Sequence, residues 1–339
     1  MTRPHQASSP TALQPHHPSL SDILHAQGRI APHVLQTPMR HSRALSEKTG
    51  GDIYLKMEHR QHTGSFKLRG ATNAVLALTQ EQKAKGIAAV STGNHGRGLA
   101  FAAQKAGVRC VVAMSELVPQ NKRDGIAALG AEVVIQGRSQ DEAQQAVDRM
   151  VAEEGMTTIP PFDHADVIAG QGTLGLEILQ DLADIDTVLV QLSGGGLISG
   201  VAAAIKAASP RTRIIGISMQ RGAAMHASLE AGKPVRVEEL PTLADSLGGG
   251  IGLSNRYTFA MTQALVDDVI LLSEEEIAEG IRHAYWQEEE ILEGAGAVGL
   301  SALLGRKVES PGRCVVILSG RNIDMAMHHK LISGEMVTL

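Results

Sequence analysis

Lys67 stands in Thr63-Gly64-Ser65-Phe66-Lys67-Leu68-Arg69-Gly70, where Leu68, Ala71, Val75 and Leu78 share one face and predict the start of a helix. Ser65 is its expected N-cap. A lysine in the first turn faces the positive end of the helix dipole, which leaves more neutral amine, the form that attacks carbonyls. A solvated surface lysine is the bland alternative. The segment Ser91-Thr92-Gly93-Asn94-His95-Gly96 follows an apolar run ending at Val90 and leads into a helix. Backbone N–H groups at such a helix start hold a carboxylate or phosphate, with ordinary N-capping by Thr92 or Asn94 as the competing account. His95 alone reads as a hydrogen-bonded structural histidine or as a proton shuttle.

Ser193-Gly194-Gly195-Gly196-Leu197 lies between the apolar run 188–192 and another helix, so successive N–H groups can converge on a phosphate. No Gly-Lys-Ser/Thr follows, and Ser199 stands where a dinucleotide fingerprint needs its third glycine. A phosphorylated cofactor that is not a dinucleotide is expected, with a ligand-free tight turn as the alternative. Leu318-Ser319-Gly320-Arg321-Asn322 comes directly after the apolar run 314–318.

These segments need a frame that brings them together. After a helix capped by Ser21 and ending before Pro38, strands are expected at 52–57, 86–91, 108–114 and 132–136, with helices at 98–106 and 122–129. The pattern pauses at 157–162, where Pro160-Pro161 interrupts it. It resumes with a strand at 187–192, a helix at 201–208 and a strand at 213–218. Short β-branched runs alternating with Ala-rich helices predict parallel βαβ units, whose ligands bind beyond the carboxyl ends of the strands. Three of the four segments fall there.

The 339 residues are 43% hydrophobic, enough for more than one average domain. Thirty-six Gly against 4 Phe, 3 Tyr and 1 Trp favour an α/β enzyme over a base-stacking platform. The net charge of −5 has the wrong sign for gripping a phosphate backbone, so no nucleic-acid partner is expected. Cys110 and Cys314, each in an apolar run, read as small buried hydrophobes of a reducing compartment. No apolar run approaches the roughly 20 residues of a membrane span, and residues 1–20 read as a disordered tail of a cytoplasmic protein. His16-His17, His59 with His62, and His328-His329 lack partners at ligand spacing, so no metal is expected. No Gly-x-Ser-x-Gly elbow is present.

With Ser65-Phe66-Lys67-Leu68-Arg69-Gly70, Ser91-Thr92-Gly93-Asn94-His95, Ser193-Gly194-Gly195-Gly196-Leu197, Glu293-Gly294-Ala295-Gly296 and Ser319-Gly320-Arg321-Asn322 in that order, the chain resembles fold-type II pyridoxal-phosphate enzymes. It is most similar to the threonine/serine dehydratase and serine racemase branch, over residues 22–330. The resemblance implies two doubly wound α/β domains with mainly parallel sheets. Residues 21–67 with 163–339 would form the large cofactor-binding domain, and 68–162 the small domain that closes on substrate. Lys67 would hold pyridoxal 5'-phosphate as a Schiff base, beside Phe66. Asn94 would bond the ring's 3′-oxygen, Ser193, Gly194, Gly195, Gly196 and Leu197 would hold the phosphate, Glu293 would touch the cofactor, and Ser319 would face the pyridine nitrogen. Ser91, Thr92, Gly93, Asn94 and His95 would surround the substrate carboxylate, with Lys67 and Thr92 as the catalytic pair.

The implied activity is elimination of water from threonine or serine, followed by release of ammonia and a 2-oxo acid. The implied assembly is a homodimer with no feedback domain after Asn322. Two segments depart from the family pattern: Arg321 replaces a usual glycine, and Glu58-His59-Arg60 replaces a frequent Glu-Asn. Both place cations near the expected site, pointing to a substrate with an additional anionic group or to a different salt-bridge network. The combination is similar to dehydratase-like enzymes of hydroxyectoine breakdown, the alternative substrate reading; serine racemase and a β-replacement synthase are further alternatives. Ser218 and Ala224 stand where the racemase's divalent-cation carboxylates are expected, implying that this metal site is missing.

Overall fold

The chain is described from a computed structural model covering residues 17–335 and 337, apart from 92 and 119. Its strands are β1 (Met39–His41), β2 (Asp52–Lys56), β3 (Ile87–Val90), β4 (Cys110–Met114), β5 (Glu132–Ile135), β6 (Thr157–Thr158), β7 (Thr187–Gln191), β8 (Arg213–Met219), β9 (Asp268–Leu272) and β10 (Arg313–Ile317). They form a six-stranded sheet in the order β1-β2-β10-β7-β8-β9 and a four-stranded sheet in the order β5-β4-β3-β6. Among the described strands only the β1–β2 pair is antiparallel. The expected α/β architecture with mainly parallel sheets is therefore present, and the smaller sheet is an excursion between β2 and β7.

Both sheets are covered on both faces. On β10 and β7, Val316 and Leu189 pack toward the Gly294–Leu304 helix, while Val315, Val188 and Val190 pack toward the helices Ala165–Asp181 and Gly196–Ala208. This two-sided burial explains why the strands read as continuous apolar runs. The expected strands lie within two residues of their observed bounds. Two helices start earlier than expected, at Asn94 and at Gly196, because glycines that look like helix breakers serve close packing. A Cβ on Gly200 would sit 2.3 Å from the Ile168 carbonyl oxygen, and one on Gly98 would sit 3.2 Å from Ala71 Cβ.

Two expected caps are corrected. Ser19, not Ser21, caps the helix Leu20–Ile30, because Asp22 lies three residues beyond Ser19 and returns a bond to its N–H, closing a capping box. Of the tail expected over 1–20, residues 1–16 lie outside the described residues, and Ser19 and Leu20 belong to this helix. At the helix Lys67–Ala77 the N-cap is Phe66, already helical at φ −57 and ψ −24, and no side chain caps it. Ser65 is drawn into an antiparallel bridge with Gly320 instead, and its buried hydroxyl has no partner among the described residues.

The helix carrying Lys67 is anchored from below. Arg69 is fully buried and places its guanidinium between Glu58 (2.7 and 2.8 Å) and Glu177 (2.7 and 2.9 Å). Lys56 extends the network to Glu177 at 3.0 Å and Asp181 at 2.8 Å. Charges taken this far from water persist only because each is paired and hydrogen-bonded. No helix among the described residues is long and apolar enough to cross a membrane.

Candidate active site

Beyond the carboxyl ends of β3, β7 and β10 lies a cavity of about 260 Å³. It collects the described residues expected at the site: Phe66 and Lys67; Ser91, Gly93, Asn94 and His95; Ser193 to Leu197; Glu293 and Ser319. Thr92 lies outside the described residues, so its expected catalytic hydroxyl has no structural account.

Lys67 opens its helix, as its spacing predicts, and its Nζ donates to the Pro161 carbonyl oxygen over 2.8 Å. Burial pushes its pKa down to about 8, while the Glu293 carboxylate pulls the other way. Desolvation, then, is the main source of neutral amine, where the first-turn position suggested the helix dipole. Phe66 lies beside it, its ring centroid 5.3 Å from Nζ.

Across the cavity, the helix Asn94–Ala106 begins after Gly93 without a side-chain cap. The N-capping expected of Asn94 as the alternative is not used: its Nδ2 donates to Glu293 Oε1 over 2.7 Å, and its Oδ1 accepts from Asn322 Nδ2. Ser91 Oγ instead accepts the Gly96 N–H at 2.9 Å, shaping the loop from within. His95 Nε2 lies 2.8 Å from the Ile159 carbonyl oxygen, and burial, then the Lys67 charge, push its pKa down to about 3. The ring is neutral, with Nε2 donating to Ile159. Glu293 shows the opposite shift: burial, then Asp245, raise its pKa to about 7 against the pull of the Asn94 bond.

The glycine run makes the turn from β7 into the helix Gly196–Ala208. Gly195 is its N-cap at φ +88, a left-handed conformation that favours glycine, and no side chain caps the exposed N–H groups. A Cβ on Gly194 would lie 2.4 Å from the Phe162 ring, so only glycine leaves that backbone bare. Phe162 is held in turn by Asp163, whose carboxylate accepts the N–H groups of Arg256, Tyr257 and Thr258 at 2.6 to 3.0 Å. A bare, positively polarised backbone facing a cavity that also holds a low-pKa amine fits a phosphorylated aldehyde.

At the far end, Ser319 is buried, with Ala295 O 3.5 Å from its hydroxyl, and Gln191 donates to Ile317 O while its Oε1 has no partner among the described residues. Gln191, Pro161, Phe162, Lys122 and Asp245 also line the cavity, and none was legible in the sequence. Phe162 and Pro161 occupy the segment whose only signal was an interruption. The two departures separate: Arg60 pairs with Glu290, which also bonds His59 at 2.7 Å, whereas Arg321 has no ion pair among the described residues. Among the described residues there is no group of three or more metal-ligating side chains.

The sequence profile described as "Pyridoxal-phosphate dependent enzyme" matches residues 30–320. A Sinorhizobium fredii protein named "Putative threonine dehydratase" is 58% identical over 317 residues, 93% of this chain and 96% of that one. An L-threonine ammonia-lyase of Thermotoga maritima is 41% identical over 319 residues, 94% of this chain and 79% of that one. Maize serine racemase superposes with a TM-score of 0.88 at 32% identity, covering 94% of this chain and 98% of that one.

Proposed function

The chain belongs to the pyridoxal-phosphate dependent enzymes, and from that premise we infer a threonine dehydratase, an ammonia-lyase that converts L-threonine to 2-oxobutanoate and ammonia. The observation that carries this reading is the meeting of a buried lysine of depressed pKa with a bare glycine loop in one cavity.

When bound, pyridoxal phosphate supplies an electron sink for the pair left on the substrate's Cα. We assign the phosphate to the N–H groups of 194–197 and the covalent attachment to Lys67. The Lys67 amine, neutral in an appreciable fraction near pH 8, takes the proton from Cα. The start of the Asn94–Ala106 helix, with Ser91, Gly93 and Asn94, orients the α-carboxylate. His95 stays neutral and braces this loop through its Nε2–H bond to Ile159, so it does not act as a proton shuttle. Ser319 presents a neutral hydroxyl to the ring nitrogen. Water leaves from Cα and Cβ of threonine, and water returns when the nitrogen is released as ammonia, so the net change is loss of ammonia alone.

We also assign 21–67 with 163–339 to cofactor binding and 68–162 to closure over the substrate. A homodimer is supported by exposed Trp286 and Met325, which leave an apolar surface at the neighbouring helices Glu274–Trp286 and Met325–Ile332. Two buried free cysteines support a reducing, cytoplasmic setting. The test is ammonia and 2-oxo acid release from threonine alone, which also separates elimination from β-replacement. The wild type should release both and Lys67→Ala neither; an active Lys67→Ala would overturn the assignment.

A further inference from the structure

The strand β7 is apolar up to its last residue, Gln191, which is 4% exposed and lines the active-site cavity. Side chains alternate along a strand, so Gln191 shares a face with Leu189 and points toward the start of the Gly294–Leu304 helix. Its Nε2 donates to the Ile317 carbonyl oxygen over 2.6 Å. A carbonyl only accepts, so this bond fixes which way round the amide lies. Oε1 is thereby left buried and without a donor among the described residues. An acceptor sealed from water in this way costs stability until a donor reaches it.

One donor of the same wall is held as loosely. Ser319, two residues beyond Ile317 at the end of the neighbouring strand β10, also lines the cavity. Among the described residues its hydroxyl has only the Ala295 carbonyl oxygen within reach, at 3.5 Å. Ala295 lies in the helix that Gln191 faces, so the two side chains converge on one corner of the cavity. The titratable groups of the wall are engaged elsewhere. Lys67 donates to Pro161, Glu293 accepts from Asn94, Lys122 lies 3.8 Å from Asp245, and His95 bonds Ile159.

We propose that Gln191 is a positioning residue for the cofactor ring: its Oε1 takes the hydrogen of the Ser319 hydroxyl, so that Ser319 turns a lone pair to the ring nitrogen and the nitrogen keeps a proton. The proposal rests on the placement of pyridoxal phosphate given above and adds the protonation state of its ring. Position supports it. With the phosphate at 194–197, beyond β7, and the ring nitrogen at Ser319, beyond β10, Gln191 stands between the two at the end of β7. A hydroxyl both donates and accepts, and its other partner decides which it offers. Without Gln191, Ser319 would give its hydrogen to the nitrogen and favour an unprotonated ring. A protonated ring draws electrons from Cα more strongly, which serves removal of the Cα proton by Lys67.

The holoenzyme is loaded with pyridoxal phosphate carrying nitrogen-15 in the ring, and the NMR shift of that nitrogen is followed between about pH 6 and pH 9. In the wild type it should report a protonated ring at neutral pH. Gln191→Met, which keeps the length and loses the acceptor, should lower the midpoint by at least about one pH unit, tenfold in the protonation equilibrium. Gln191→Glu, which keeps an oxygen at that place, should hold the ring protonated. Ser319→Ala should lower the midpoint too, and adding Gln191→Met to it should lower it no further, because one acts through the other. An unprotonated ring in the wild type, a wild-type midpoint in Gln191→Met, or a full second drop in the double variant would each overturn the proposal. Should Gln191→Met fail to fold, the wild-type shift and Gln191→Glu still decide it. Cofactor uptake is read separately from visible absorbance. A wild type that takes up none would overturn the placement of pyridoxal phosphate itself, a failure distinct from uptake with an unprotonated ring.

Discussion

Asn94 Nδ2 donates to Glu293 Oε1 over 2.7 Å, which ties the first residue of the Asn94–Ala106 helix to the residue that precedes the Gly294–Leu304 helix. The first helix packs on the smaller sheet and the second on the larger, so this one bond spans the cavity between them. It also bears on the charge of Glu293, since the carboxyl would rise further without it.

Glu293 should leave a mark on the pH dependence of stability. Its pKa is about 7 in the folded chain against 4.5 ordinarily, so between those values the unfolded state releases a proton that the folded state keeps. Its contribution therefore falls as pH rises from about 4.5 to 7 and is flat above. In Glu293→Gln that slope should disappear, a relative gain of about 1–3 kcal/mol by pH 8. Urea unfolding of the cofactor-free protein at several pH values checks it, and parallel profiles for the two proteins would refute it.

Lys67 should take up pyridoxal phosphate faster as pH rises, with half the maximal rate near pH 8, well below the ordinary lysine value of 10.5. The sign follows from the neutral amine being the nucleophile. Stopped-flow visible absorbance of the cofactor-free protein reads it, and a midpoint near the ordinary value would show that burial does not set this amine.

Gly195→Ala should weaken cofactor binding by at least about tenfold, roughly 1.4 kcal/mol. At φ +88 a Cβ is disfavoured, and here it would lie 2.8 Å from Met225 Cε and 2.9 Å from Thr258 Cβ. The turn must shift and carry its N–H groups with it. A fluorescence titration with pyridoxal phosphate gives the affinity; wild-type binding would show that the turn does not contact the phosphate.

Arg69→Met should cost about 3–5 kcal/mol, because Glu58 and Glu177 would stay buried without their cation. Arg69→Lys should rescue little of it, since one ammonium cannot satisfy two carboxylates in fork geometry. Chemical denaturation measures both variants; a loss under about 1 kcal/mol would mean that water or protonation relieves the two carboxylates.

The strands were legible because burial on both faces writes itself as unbroken apolar runs. The starts of the Asn94–Ala106 and Gly196–Ala208 helices were not, because Gly96, Gly98 and Gly200 look locally like breakers. Gly98 and Gly200 serve close approach to another helix and Gly96 close approach to Ser91, relations that only the partner segment reveals. Phe162 and Pro161 were hidden for a similar reason: each acts on the site through a neighbour far along the chain, Gly194 for one and Lys67 for the other.

By itself the sequence determined the chemistry on offer: an amine at a helix start, polar and glycine loops after apolar strands, and two unusual cations. Tertiary structure decided which of these groups stay free to act. Arg60 and Arg321 look alike in the sequence, yet Glu290, 230 positions from Arg60, neutralises one, while the other has no ion pair among the described residues. Likewise Lys67 has its low pKa from burial by segments far along the chain. Charge state and pairing depend on distance in space and on exclusion of water, and both are settled only when remote segments pack.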